Sequence, residues 1–224
     1  MARLARRRWM GLVFISMAIS LVIIDGTIVN TIFPKIITAL SINSVEVQWV
    51  QESYVLVFAA LLLVWGSVAD RIGRRRLLII GILIFIVASV WAGVSDSATQ
   101  LILARILQGF GGSMVLPTTL SLVNANFQGK ERGIAFAVWG ATIGGMVAVG
   151  PVIGGWLATS FGEDGWRLAF NINLPIGLII IAGLLLFVSE SKVEQRTGSP
   201  DIVGAVLSVL MFLTLVFGLI EGRT

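Results

Sequence analysis

Neither histidine nor cysteine occurs anywhere in the 224 residues. Their absence removes imidazole and thiolate metal ligands, disulfides, and any Ser-His or Cys-His nucleophile. A nucleotide-binding P-loop is missing too, because the one Gly-Lys pair, Gly129-Lys130, is followed by Glu131 rather than Ser or Thr. With no paired carboxylates at matching depth either, the sequence gives no catalytic residues, no metal site and no cofactor, and an intramembrane enzyme is not expected. Charge is also scarce. It amounts to 12% of the residues, against 57% that are hydrophobic, whereas ordinary soluble domains carry roughly 25% charged residues. A soluble fold of this length could not hide so much apolar surface. The net charge of +4 does not point to nucleic acid, because the basic residues sit in short clusters between apolar spans.

What the sequence does have is long uncharged runs. Leu77 to Ser95 and Ile202 to Ile220 carry no charge at all, and a membrane-spanning helix needs about 20 apolar residues. The hydrophobic pattern predicts seven spans, at 9–33, 49–69, 77–95, 98–123, 133–159, 167–189 and 201–221. The expected class is an all-α integral membrane protein embedded in a lipid bilayer. Residues 1–189 hold six spans, 190–200 form a cytoplasmic linker, and 201–224 hold the seventh span. Pro200, between Ser199 and Asp201, suits the start of that last helix, where a missing N–H costs nothing. The odd span count and the end soon after Glu221 read as a truncated chain. An N-terminal signal peptide is disfavoured, since the first apolar run is too long and contains Asp25, Thr27 and Asn30.

Orientation follows from the basic residues. One side carries Arg3, Arg6, Arg7, Arg8, Arg71, Arg74, Arg75, Arg76, Lys130, Arg132, Lys192 and Arg196; the other has Lys35, Arg167 and Arg223. The positive-inside bias places the N-terminus in the cytoplasm of a multi-pass cell-membrane protein. Trp9 and Trp65 then fall at inner span ends, and Trp49, Trp91 and Trp166 at outer ones.

Polar residues inside the spans carry the candidate chemistry. A carboxylate such as Asp25 costs on the order of 3 kcal/mol at mid-membrane. Burial disfavours the charged form of a carboxyl, so an acid there could load and release a proton; the alternative is a structural carboxylate that caps neighbouring helices. Arg105 lies inside span 4, and at about 1.5 Å per residue both groups sit roughly 10–14 Å below the outer boundary. That depth permits an Asp25–Arg105 pair acting as a proton-operated switch; otherwise Arg105 binds backbone carbonyls. Gln108 is one turn from Arg105 on the same face. In the turn between spans 2 and 3, Gly66 permits close helix approach and Gly73 a tight turn. Asp70 stands there among Arg71, Arg74, Arg75 and Arg76, an acid that could latch arginines or a helix N-terminus. The plainer alternative is a stop-transfer charge cluster. Span 5 holds Gly140, Gly144, Gly150, Pro151, Gly154 and Gly155, with pairs spaced for close helix contact and a proline that favours a bend. It reads equally as a hinge and as ordinary small-residue packing. Asn171 and Asn173, at the start of span 6, either stabilise that helix entry or line an outer vestibule.

Taken together, these motifs resemble the major facilitator superfamily. Gly66 to Arg76 is similar to its signature between spans 2 and 3, with Val68 where leucine is usual. Arg105-x-x-Gln108-Gly109 resembles its span-4 signature. Gly150-Pro151-x-x-Gly154-Gly155 resembles part of its antiporter signature, with Met146 and Ala137 where earlier glycines are usual. Leu21 to Pro34 and Trp166 to Gly177 resemble the fourteen-span drug:proton antiporter branch, and the short link to span 7 fits the two spans that branch inserts between its halves.

The resemblance implies a six-helix N-terminal bundle built as a 3+3 repeat, plus one inserted span. It implies multidrug efflux of lipophilic, often cationic, small molecules in exchange for protons, with a missing C-terminal half or a second copy as partner. By the same resemblance Arg105 couples proton movement to transport, Asp70 and Arg74 brace the cytoplasmic gate, and span 5 bends. A metabolite symporter or uniporter of the same fold, and a non-transporting multi-span protein, remain the alternatives.

Overall fold

The computed structural model describes residues 2–192 together with isolated positions between 207 and 218. Among the described residues, six helical segments are long and apolar enough to cross a membrane. They are α1 (Ala2–Leu40), α2 (Ser44–Ile72), α3 (Arg74–Gly93), α4 (Ala98–Asn126), α5 (Gly129–Ser160) and a sixth segment made of α6 (Gly165–Asn171) and α7 (Asn173–Phe187), preceded by a short 3₁₀ turn at Gly162–Asp164. Apart from those isolated positions, the seventh span expected over 201–221 and most of the 190–200 linker lie outside the described residues.

The helices outrun the apolar cores that predicted them. The first does not stop at residue 33 but runs through Pro34 to Leu40. Starts are set by local chemistry. Asn43 accepts hydrogen bonds from the backbone N–H groups of Val45 and Glu46, while Glu46 accepts from the Asn43 N–H at 2.9 Å, a reciprocal cap for α2. Ser97 caps α4 through the Gln100 N–H. The sixth span is interrupted where Pro175 has no N–H to offer the carbonyl of Asn171, one turn earlier, so the ladder lapses between α6 and α7.

Packing follows a repeat. α4 lies against α2 and α3, and α1 lies against α5 and α7. Exchanging the first three spans for the last three maps one set of contacts onto the other, which is the 3+3 arrangement. α1, α3 and α4 are the most buried, whereas α2 and α5 leave most of their surface open. Two apolar clusters fill the interior: one around Leu12, Ile19, Phe85, Leu122 and Phe127 toward the arginine-rich end, the other around Ile32, Val50, Trp166 and Phe170 toward the opposite end.

Glycines decide where helices touch. A Cβ on Gly109 would lie 2.6 Å from the carbonyl oxygen of Tyr54, and one on Gly111 would lie 2.7 Å from that of Gly81, so α4 packs backbone to backbone on α2 and α3. On α5 the expectation divides. Gly150 and Gly154 fit against Thr27, Ile28 and Thr31 of α1, and a Cβ on Gly150 would collide with the Thr27 hydroxyl. Gly140 and Gly144 meet nothing within 4 Å, and neither does Gly66. Small-residue spacing there therefore does not correspond to close helix contact among the described residues.

Candidate functional site: a buried ion pair shared by five helical elements

Asp25, Arg105 and Gln108 come together in the interior, each at most 2% exposed. Arg105 Nη1 donates to Asp25 Oδ2 at 2.5 Å and to Gln108 Oε1 at 2.6 Å. Gln108 Nε2 donates to Asp25 Oδ1 at 2.8 Å, which closes a three-membered ring of side chains. The guanidinium spends its other donors on α2, with Nε to the Val50 carbonyl at 3.2 Å and Nη2 to Gln51 Oε1 at 3.3 Å. It also stacks on the Tyr54 ring, 4.0 Å from the centroid. A buried ion pair is tolerable only when its remaining donors and lone pairs are met in this way.

The ring extends further than the sequence indicated. Asn173, in the first turn of α7, donates from Nδ2 to Asp25 Oδ1 at 2.8 Å and to Ser89 Oγ at 3.2 Å. Ser89 on α3 also accepts from Gln108 and donates to its own Phe85 carbonyl. Gln51 Nε2 donates to the Gly26 carbonyl and Tyr54 to the Val22 carbonyl, tying α2 to α1 on either side of the acid. Asp25 thus accepts from α4 and α7, while α2 and α3 hold the donors in place. Asn173 is a member of this cluster rather than a vestibule residue. Asn171 packs instead against α3 at Gly93, where a Cβ would strike its amide.

A second cluster occupies the arginine-rich end, apart from the first. Asp70 pairs with Arg74 one turn on, Oδ1 to Nη2 at 2.9 Å, and Arg74 reaches the Ser121 carbonyl of α4 at 3.5 Å. Gly73 adopts φ +116°, which explains glycine at the α2–α3 turn. Glu190 meets the N-terminus of α3 here. Its carboxylate accepts from the backbone N–H groups of Arg75 and Arg76 at 3.0 Å each, while Arg75 Nη1 donates to the Val188 carbonyl. Residues 188–191 are therefore a strap from the end of α7 to the start of α3, rather than the beginning of a free linker. The legible signal was an acid directly after span 6, on the side rich in arginine.

The sequence profile of the Major Facilitator Superfamily matches residues 15–222. The chain belongs to that superfamily. It is 37% identical over 219 residues to a probable actinorhodin transporter of Streptomyces coelicolor, covering 97% of this chain and 38% of that protein. It is 38% identical over 222 residues to the puromycin resistance protein pur8 of Streptomyces alboniger, covering 97% and 43% respectively. This major facilitator chain thus spans about two-fifths of the length of these relatives. Among solved structures, an inward-facing, unoccupied bacterial homologue of the human lysosomal transporter Spinster superposes with a TM-score of 0.71 at 20% identity, over 88% of this chain and 46% of that one. That likeness concerns the fold.

Proposed function

We propose that this chain is the N-terminal half of a proton-coupled efflux transporter for lipophilic small molecules, working by alternating access. Membership of the superfamily and relatives named as antibiotic resistance or export proteins support export. Proton coupling rests on one observation: the buried Asp25–Arg105 pair, in which a single carboxylate is the counter-charge for an arginine that α2 also holds. In this reading, protonating Asp25 removes that counter-charge. Arg105 then falls back on Val50, Gln51 and Tyr54, and the hold between α1 and α4 loosens. Substrate binding and proton binding alternate, so two halves rocking about a central site exchange one for the other. The N-terminus and the Asp70–Arg74–Glu190 cluster lie on the cytoplasmic side and brace the gate there, and α5 moves about its Gly150–Gly154 contact.

The test is Asp25→Asn in the full-length protein, with efflux of a panel of lipophilic dyes followed in cells under an imposed pH gradient. Export driven by the gradient is expected to disappear while the protein still reaches the membrane. Undiminished proton-driven export of every dye removes Asp25 from the mechanism. A second reading, a metabolite carrier of the same fold, has the support of a 34% identical relative named as a riboflavin transporter, from Clostridioides difficile. Under that reading the same cells do not export the dyes at all.

A further inference from the structure

α1 and α5 make glycine-mediated contact toward one end. Gly150 and Gly154 press on Thr27, Ile28 and Thr31, but toward the arginine-rich end Gly140, Gly144 and Gly145 meet nothing within 4 Å. Toward that end residues of both helices line a cavity of about 470 Å³, within the range of about 300–1,000 Å³ typical of small-molecule sites. It is formed by one stripe of each helix, with Val138, Thr142 and Met146 spaced four residues apart on α5.

The chemistry of its wall is specific. Three of the chain's six methionines, Met10, Met17 and Met146, line it beside Trp9. Thioethers are polarisable and adaptable, and they make favourable contacts with aromatic rings. Ser16 also lines the cavity; it is 5% exposed and its hydroxyl has no hydrogen-bond partner. A buried hydroxyl left unpaired is costly, so a ligand that bonds to it gains accordingly. Among the lining residues Arg6 is the only charged one, and none is acidic. Glu131, at the start of α5, is already paired with Arg8 at 3.4 Å. Asp25 is sequestered in the ion-pair cluster and does not line the cavity.

We propose that this cavity is a binding subsite for a planar aromatic molecule that is neutral or anionic, with the rings against the methionines, a polar substituent on Ser16, and negative charge directed to Arg6. A cation would enter past an arginine and find no counter-charge. The proposal rests on the exporter reading for its biological meaning, but it narrows the substrate class away from the lipophilic cations that the family resemblance implies.

The experiment measures equilibrium binding to the complete protein in phosphatidylcholine nanodiscs, by fluorescence anisotropy. The probes are fluorescein, an anion, and rhodamine 123, a cation on the same ring system. Fluorescein is expected to bind at least tenfold more tightly than rhodamine 123. Val138→Trp fills the cavity from a residue already 43% exposed, so folding is little disturbed; it is expected to weaken fluorescein at least tenfold without lowering thermal stability. Arg6→Glu is expected to reverse the preference between the two dyes. Tighter binding of rhodamine 123, or fluorescein binding that is absent or unaffected by Val138→Trp, overturns the proposal. So does a phospholipid that native mass spectrometry finds retained, lost in Val138→Trp, and not displaced by fluorescein. Binding as predicted by a protein that exports neither dye overturns the exporter reading and leaves the subsite standing.

Discussion

The buried polar residues owe their tolerance to one another. Removing one partner of a buried pair leaves the other as an uncompensated charge, at a cost of about 3–5 kcal/mol, while removing both is far milder. Arg105→Gln alone is therefore expected to lower the thermal stability of the purified protein more than the double change Asp25→Asn with Arg105→Gln, which a melting curve in detergent measures directly. A double variant less stable than either single one would mean that the pair is not the interaction that matters. Asp25, Arg105 and Gln108 were legible in the sequence because charges and amides stand out inside apolar runs. Ser89, Gln51 and Asn173 were not. A serine in a span can satisfy itself on the carbonyl four residues back, as Ser20 does on Ser16, and an amide near a span end has water as a ready partner. Ser89 does make that local bond, yet it also accepts from two other helices; only the tertiary arrangement separates the two kinds of serine.

At the scale of helices, glycine spacing gave candidates without saying which would be used. Gly109 and Gly144 look alike in the sequence, but one abuts the backbone of Tyr54 and the other faces open space. Gly109→Ala is expected to push α2 off α4, at about 1–3 kcal/mol of overpacking, and with it the Val50 and Gln51 contacts that orient Arg105. Gly144→Ala is expected to leave both thermal stability and transport within error of the parent. Equal losses in the two variants, measured side by side, would contradict the packing described here. The positions of the six described spans were read well from hydropathy alone. Their ends were not, because caps such as Asn43 and straps such as Glu190 act through single hydrogen bonds that a hydropathy window averages away.

For the whole molecule, the 3+3 arrangement leaves α2 and α5 with open faces, which the proposed second half would cover. The direction proposed for it across the bilayer rests on the arginine bias. The absence of cysteine supplies a clean background for testing it. With any cysteine elsewhere in the complete protein removed, Thr99→Cys, exposed at the start of α4, is expected to react with a membrane-impermeant maleimide added to intact cells. Lys130→Cys, exposed at the start of α5, is expected to react only after the cells are opened. The opposite pattern would invert the topology.

The crossing of α1 and α5 sits two residues along from the acid, since Thr27 bears on Gly150 while Asp25 holds Arg105. α1 and α5 therefore share a glycine-mediated contact beside the ion pair and a cavity nearer the arginine-rich end. If the cavity takes a ligand as proposed, the load falls on the same helical rod that carries the acid, with Asp25 five residues beyond Ser20 of the cavity wall, about 7.5 Å along the axis.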